Sequence, residues 1–293
     1  MNVGGPVAAA RTVRGAAARR EADGFHRTRV PDPGADSLLH AVDAPYAVGA
    51  CGAGPLILAW NGTAWTSETL PEFDPALHGA VLTAVSGDVA VGGAFDRLRL
   101  AEVPLLLRRG PTGWHDDGAP ELGFPYVLTG VRDVWAVGHG FPGSGLPTSV
   151  VLRHDGAVWK PVDVPGRPAK LLAVTASGEN LLAAGARDRD GVILHFDGRS
   201  WREWRTRTGP VTSLACWRGR AYAAAGDVLL HWTGRRWAQE RAPLRVNAVA
   251  ECRAGVQCAG ADALAVFDGR RWSTEELPGT WLGTDPEWLV GAS

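Results

Sequence analysis

Short apolar runs separated by turn residues recur along the whole chain. The clearest repeated segment is an aliphatic run, then Asp-Gly or a related pair, two further residues and a tryptophan. Asn-Gly and Asp-Gly between apolar runs predict β-hairpins, because a type I′ turn requires positive φ at both central residues. Five copies fit this description (58–65, 152–159, 194–201, 230–237 and 265–272), and a sixth, at 107–114, has a stretched turn.

A second element lies between these copies. It consists of small residues alternating with Val and ends in Gly, and another apolar run precedes each copy. Each repeat therefore contains three or four short strands separated by turn signals. The six copies of this second element are at 47–49, 90–92, 136–138, 184–185, 225–226 and 259–260.

The repeat length indicates the architecture. The six tryptophans that end the first element, from Trp65 to Trp272, are spaced by 49, 45, 42, 36 and 35 residues. A linear solenoid would keep a stricter period, whereas four-stranded units with variable loops are typical of radial repetition. The sequence therefore predicts an all-β propeller of four-stranded blades.

The two ends of the chain supply the remaining blade. Six complete units cover residues 37–278, and 279–293 has the pattern of the first two strands of a unit. Residues 16–36 have the pattern of the last two strands, with Phe25 near the tryptophan position, so the ends are predicted to pair. Such pairing closes the ring and removes exposed strand edges. We expect a single seven-bladed domain over residues 1–293, in which residues 1–15 could be disordered.

This pattern resembles the bacterial β-propellers of the broad superfold that includes WD-repeat, kelch and Asp-box proteins. The resemblance covers nearly the whole chain and implies the propeller fold. The motifs differ from each named branch: there is no Gly-His and Trp-Asp pair, no kelch double glycine, and no residue between Asp and Gly as an Asp-box has. No family function follows residue by residue.

Composition and charge restrict the classes of partner that the chain could bind. The chain is 45% hydrophobic and 21% charged, with 38 Gly, 20 Pro and a net charge of −1. This balance gives no general attraction to nucleic acid or to an anionic membrane. The N-terminus lacks the apolar run of a signal peptide, and no stretch approaches the roughly 18 apolar residues of a membrane span. We expect a soluble, cytoplasmic monomer.

Cofactor and metal signatures are absent from the sequence. The four cysteines have no C-x-x-C spacing; Cys252 and Cys258 flank a predicted turn and are expected to be packed thiols, although they could lie close together. His195 and His231 occupy equivalent positions of successive repeats, too far apart to share an ion. No nucleophile elbow, metalloprotease, P-loop or dinucleotide motif occurs. We expect no cofactor and no metal, and the sequence leaves enzyme activity open.

The 13 tryptophans have two possible roles. Aromatic faces stack on sugars and bases, but most of these tryptophans recur at one repeat position, which favours packing between blades. Trp204 and Trp217 lie outside this register. Their exposure would favour a carbohydrate-binding propeller.

The loops between the second and third strands form the candidate site. These loops are predicted to be long in blades two to four, at 95–99, 139–144 and 187–190, and all lie on one rim of a propeller. Arginine forks on this rim suit carboxylate or phosphate groups, although 187–190 could also be a solvated, self-neutralising loop. The predicted ligand-binding residues are Arg97, Arg99, His139, Phe141, Arg187, Arg189, Arg205 and Arg207.

Three functions remain open at this point. The first is a non-catalytic propeller that binds a protein, peptide or small molecule on this rim. The second is a hydrolase, lyase or cyclase with its site at the axial pocket, for which His139, Asp96 and Asp188 are the catalytic candidates. The third is carbohydrate binding. A fold alone does not decide between them.

Overall fold

The computed structural model describes residues 15–21, 24–31, 36–52, 54–143 and 145–292. Regular secondary structure in these ranges is β, in 27 strands. No helix within them is long and apolar enough to cross a bilayer.

The strands follow the predicted order. Two N-terminal strands, β1 (Gly15–Glu21) and β2 (Gly24–Thr28), precede six groups of strands along the chain. Blades one to three consist of β3 (Ser37–Asp43), β4 (Tyr46–Cys51), β5 (Gly54–Trp60) and β6 (Trp65–Ser67); β7 (Leu77–Ser86), β8 (Val89–Asp96), β9 (Ala101–Gly110) and β10 (Gly113–Asp116); and β11 (Tyr126–Arg132), β12 (Trp135–Gly140), β13 (Thr148–His154) and β14 (Trp159–Pro161).

The second half of the chain continues this arrangement. Blades four and five consist of β15 (Lys170–Ser177), β16 (Asn180–Arg187), β17 (Asp190–Phe196) and β18 (Trp201–Thr206); and β19 (Ser213–Trp217), β20 (Arg220–Ala225), β21 (Val228–Trp232) and β22 (Trp237–Arg241). The last strands are β23 (Ala248–Cys252), β24 (Gly255–Ala259), β25 (Ala261–Phe267), β26 (Trp272–Thr284) and β27 (Trp288–Ala292). We call the four strands of each blade A to D in chain order.

The sheets give seven blades among the described residues. Five sheets have four strands, and a sixth has seven strands in the order β2-β1-β27-β26-β25-β24-β23. The long strand β26 belongs to two blades. Its first part pairs with β25 as the outer strand of blade six, and its last part pairs with β27 as the inner strand of blade seven. The predicted all-β, seven-bladed propeller is confirmed.

Ring closure follows the predicted scheme. Strand β1 pairs antiparallel with β27, from Gly15 with Ala292 to Arg19 with Trp288, and β2 pairs with β1. The C-terminal strands are thus A and B of blade seven, and the N-terminal strands are C and D. The predicted disorder of residues 1–15 concerns mainly 1–14, which lie outside the described residues.

The core is divided among the contacts between neighbouring blades. Seven clusters of buried apolar side chains each combine residues from two adjacent blades. The cluster of Phe25, Leu264 and Trp281 joins blade six to blade seven. The repeat tryptophans belong to these clusters. Trp65 packs edge-on against Trp288 of blade seven at 4.8 Å, and Trp114 against Tyr46 of blade one at 5.2 Å. These contacts agree with the predicted packing of the repeat tryptophans between blades.

The turns between strands C and D explain the Asp-Gly-x-x-Trp pattern, but they are not type I′ turns. In blades one and three to six each is a four-residue turn, as in 61–64, where Asn61 N donates to Ala64 O at 3.1 Å. The Asn61 side-chain oxygen accepts from Thr63 N and Ala64 N, and only Gly62 has positive φ, at 101°. The side-chain acceptor, rather than positive φ at both central residues, therefore selects Asp or Asn here.

The Gly that ends the second repeated element has a steric cause. In blades one to four and seven a β-bulge interrupts the pairing of the two inner strands. The bulge brings a carbonyl oxygen of strand A against the glycine of strand B: a Cβ on Gly92 would lie 1.9 Å from Val81 O. Only glycine fits at such a contact. The same approach occurs at Gly49, Gly138, Gly185 and Gly291.

Candidate functional site

The inner strands of all seven blades line an axial channel. Its neck has a volume of about 180 Å³. Strand A, or the residue just before it, contributes one side chain per blade at corresponding positions of the neck. These residues, taken in blade order, are His40, Thr83, Thr129, Leu172, Thr212, Asn247 and Leu282.

Several polar groups of the neck connect adjacent blades. The Thr83 hydroxyl donates to Leu128 O at 3.1 Å, and the Thr129 hydroxyl to Leu171 O at 2.8 Å. The Asn247 amide Nδ2 donates to Trp281 O at 2.9 Å. These bonds fix the side chains, so the neck presents a rigid set of oxygen acceptors.

One mouth of the channel is wide, with a volume of about 600 Å³. It lies on the rim formed by the B–C turns and the inter-blade connections, next to blades five and six. Its polar lining includes His40, Thr208, Thr212, Asp227, Arg245 and Asn247.

The opposite mouth, of about 460 Å³, contains carboxylates and a thiol. Asp43 pairs with Arg132 at 3.6 Å and accepts from Gly87 N at 2.7 Å. Asp285 is buried and accepts backbone hydrogen bonds from Ala44 and Trp288; its burial raises the pKa of the carboxyl group. These carboxylates are engaged in joining adjacent blades and capping turns.

The predicted long loops of blades two to four are confirmed only for blade three. In blade two, β8 and β9 continue to Asp96 and Ala101, so the turn is only 97–100; in blade four, Arg187 pairs with Asp190 and the turn is 188–189. The additional residues therefore lengthen the B–C hairpins instead of forming loops. Blade three has a connection of 141–147, within which Ser144 lies outside the described residues.

The blade-two turn is held by Asp96. This buried carboxylate accepts from Leu98 N at 2.8 Å and Arg99 N at 3.1 Å, and it pairs with the Arg99 side chain at 3.4 Å. Arg97 N donates to Ala76 O in the preceding inter-blade connection. The turn is thus ordered, with Arg97 and Arg99 exposed at its surface.

His139 and Phe141 lie together beside blade four. Their rings are edge-on with centroids 6.0 Å apart, and Lys170 Nζ lies 5.2 Å from the Phe141 ring centroid. Burial and, secondarily, the Lys170 charge lower the pKa of His139, and its Nδ1 is buried without a hydrogen-bond partner among the described residues. His139 is therefore neutral near pH 7.

The predicted ligand-binding arginines of blade four differ in whether their side chains are free to bind a ligand. Arg187 is buried and donates to Pro168 O, Arg167 O and the Glu203 carboxylate, so all its bonds are internal. Arg205 pairs with Asp190 at 2.7 Å. Arg189 and Arg207 are exposed and form no side-chain bond within the part of the chain that is described.

The catalytic candidates do not converge. His139, Asp96 and Asp188 line neither the neck nor the two mouths of the channel. Asp96 caps a turn of blade two, and Asp188 lies in the tight turn of blade four at φ 55°. The three residues lie on separate hairpins of the rim.

The off-register tryptophans are half-buried rather than exposed. Trp204 packs on Trp232, with ring centroids 5.0 Å apart, and Trp217 packs on Tyr222. The Arg218 guanidinium lies 4.7 Å from the centroid of the Trp217 ring. Neither tryptophan offers the open aromatic face on which the carbohydrate hypothesis depends.

Exposed apolar residues on the same rim were not predicted from the sequence. Leu98 and Leu100 of the blade-two turn are 82% and 77% exposed, and Phe95 and Leu146 are also exposed. Beside this turn, a groove of about 500 Å³ runs between β9 and residues 116–126, with Pro104, Leu122 and Phe124 among its walls. Leucines inside a predicted turn were the signal that could have revealed this surface.

Comparison with known proteins supports the fold. No protein-family description and no curated protein matches the sequence. Similar solved structures include the WD40 repeats of RRP9 (12% identity, TM-score 0.55, 85% of this chain and 83% of that chain), YCF48 bound to a D1 peptide (14%, 0.54, 87% and 89%) and U3-55K (12%, 0.56, 85% and 84%). At this identity, the likeness concerns the fold alone.

Proposed function

We propose that this protein is a non-catalytic interaction propeller that binds a partner protein through the rim of blades two to four. The observation that carries the proposal is the ordered turn at 97–100, which holds Leu98 and Leu100 in solvent. Full burial of a leucine side chain contributes about 1.5–3 kcal/mol. Exposed apolar clusters on otherwise polar surfaces are typical of interaction sites.

The geometry of the turn favours binding without rearrangement. The bonds from Leu98 N and Arg99 N to Asp96 and the tether from Arg97 N to Ala76 O fix the backbone before a partner arrives. A preorganised surface loses little conformational entropy on binding. The groove between β9 and 116–126 provides concave apolar area directly beside the turn.

Charge indicates the chemistry of the partner. Arg97, Arg189 and Arg207 are exposed and unpaired in the described part of the rim, and Arg99 remains largely exposed beside its pair. Arg97 and Arg99, in the same turn as Leu98 and Leu100, fit Asp and Glu of a partner, whereas Glu102, Asp116 and Glu121 in the adjacent groove fit its Lys and Arg. The similar structure of YCF48, which holds a D1 peptide, is one case of a propeller that binds a polypeptide.

The test compares captured proteins among three forms of the full chain. The double variant Leu98→Ser, Leu100→Ser removes the patch, and Val158→Ser replaces a half-exposed apolar residue in a C–D turn on the opposite face. We expect one partner to be retained by the wild type and by Val158→Ser, and its recovery to fall at least about tenfold with the double variant.

Sedimentation of the same three forms identifies self-association. Dimers that disappear only in the double variant would make a second copy of the chain the occupant, contrary to the proposal of a different protein. An identical set of captured proteins for all three forms would refute the rim as the binding surface. Thermal unfolding verifies that the exposed substitutions leave the fold intact.

A further inference from the structure

The wide mouth of the channel contains two opposite charges that do not pair. Arg245, from the connection between blades five and six, and Asp227, from the B–C turn of blade five, both line this cavity. Neither side chain forms an ion pair or hydrogen bond with another residue in the described ranges. Both groups are therefore available to a molecule in the cavity.

Neutral polar groups line the same cavity. His40 is half-buried, and burial lowers the pKa of its imidazole, which therefore offers one donor and one acceptor near pH 7. Asn247 uses Nδ2 to bond Trp281 O, which leaves its Oδ1 as an acceptor. Thr212 adds a hydroxyl without a side-chain partner among the described residues.

Size and chemistry together define the ligand class. A cavity of about 600 Å³ lies within the usual range of small-molecule sites, about 300–1,000 Å³. A guanidinium group recognises carboxylates and phosphates, whereas a free carboxylate accepts hydrogen bonds from hydroxyl or ammonium groups. A ligand that satisfies both must combine an anionic group with hydrogen-bond donors.

We propose that the wide mouth binds a small organic acid that also carries hydroxyl or ammonium donors, with its anionic group on Arg245 and its donors on Asp227. Asn247 and Thr212 supply further bonds nearer the neck. This site lies at blades five and six, away from the turn at 97–100. It therefore stands independently of the proposed partner surface.

Calorimetric titration of the full chain at pH 7 tests the site. The candidate probes are gluconate, serine and glucose 6-phosphate; the comparison probes are succinate, which lacks donors on carbon, and glucose, which lacks the acid. We expect at least one candidate to bind at least about tenfold more tightly than both comparison probes. Gluconate against serine distinguishes hydroxyl from ammonium donors, and glucose 6-phosphate distinguishes phosphate from carboxylate.

Variants assign the two roles. Arg245→Gln should weaken binding of the preferred probe at least about tenfold, equivalent to about 1.4 kcal/mol. Asp227→Asn should remove the preference over succinate. The matched control is Arg241→Gln, an exposed arginine of β22 that is outside the cavity lining, and it should leave the affinity unchanged.

Three results would each overturn the site. The first is that no candidate probe binds at about 10 mM, a concentration well above the Kd of a specific site. The second is that succinate or glucose binds as tightly as the candidate probes. The third is that Arg241→Gln and Arg245→Gln weaken binding equally.

Discussion

Arg20 Nη2 donates to Gln257 Oε1 at 2.6 Å, which joins the N-terminal strand of blade seven to the B strand of blade six across 237 residues of sequence. Gln257 is fully buried and donates through Nε2 to Thr284 Oγ1 and Asp285 O. The Arg20 guanidinium also lies 4.4 Å from the Phe25 ring centroid. One buried amide thus connects both ends of the chain.

Replacing this amide should destabilise the ring. In Gln257→Leu, the half-buried Arg20 guanidinium loses its acceptor and the Thr284 hydroxyl loses a donor while it keeps its own bond to Asp285 O. Each lost bond costs about 1–3 kcal/mol. We expect the free energy of unfolding in urea to fall by about 2–4 kcal/mol. Gln239→Leu, at an exposed glutamine of β22, is the control and should change it by less than about 0.5 kcal/mol.

Deletion of residues 1–36 removes strands C and D of blade seven. The deletion exposes the edge of β27, and it removes Phe25 from the buried cluster that Phe25 forms with Trp281 and Leu289. We expect a far lower melting temperature and self-association through the open edge. A chain lacking only 1–14 keeps both strands and is the comparison. If the two truncated chains melt alike, end-to-end closure does not stabilise the ring.

The glycines of the second repeated element illustrate what the sequence could and could not reveal. Their recurrence was sufficient to define blades, because each of the six complete repeats has such a glycine. Their cause was not visible, since the bulge that brings Val81 O towards Gly92 depends on two strands packing at the axis. In blades five and six the inner strands pair without a bulge.

The rim was predicted less well than the ring for a related reason. The alternation of apolar and polar residues along the strands recurs in seven blades, so one irregular blade does not hide the pattern. Each turn of the rim occurs only once. Arg187 and Arg189 are two positions apart in sequence, yet one is buried among carbonyls and the other is exposed. The Glu203 carboxylate on the neighbouring strand and the carbonyls of Arg167 and Pro168 hold Arg187, and Arg189 has no corresponding partners in the described part of the chain.

A methyl group at the bulge tests the steric account. Gly92→Ala would place Cβ 1.9 Å from Val81 O, so the two inner strands of blade two must separate. We expect a loss of about 2–3 kcal/mol in the free energy of unfolding. Gly54→Ala, where a Cβ meets no atom within 4 Å and φ is not positive, should be close to neutral. Equal stability of the two variants would show that the bulge adapts freely.

Asp197 should make the stability depend on pH. Hydrogen bonds from Ser200 N, Arg199 N and the Ser200 hydroxyl lower the pKa of this carboxyl group to about 2. Because the folded-state pKa lies below the unfolded value, the stabilisation is present above about pH 4 and is lost as the pH falls towards 2. Carbon-detected NMR titration measures the pKa directly.

Replacing Asp197 by the residue that blade five has at the same position removes the carboxylate and keeps the turn. Blade five has Thr233 at the corresponding position, where its hydroxyl accepts from Arg236 N at 3.2 Å. Asp197→Thr should therefore keep the turn and flatten the dependence of unfolding on pH between 2 and 4. A variant with the same acid sensitivity as the wild type would assign that sensitivity to other carboxylates.

Substitution of Arg187 should affect stability, and substitution of Arg189 should affect partner binding. Arg187→Gln leaves the Glu203 carboxylate and two carbonyls, those of Arg167 and Pro168, without their donor, so we expect a loss of about 2–4 kcal/mol in the free energy of unfolding. Arg189→Gln, two residues away and exposed, should stay within about 0.5 kcal/mol of the wild type. If the rim binds an acidic partner, Arg189→Gln should instead slow association, and the effect should shrink as salt is added. Destabilisation by Arg189→Gln, or an unchanged association rate at low salt, would exclude Arg189 from the binding surface.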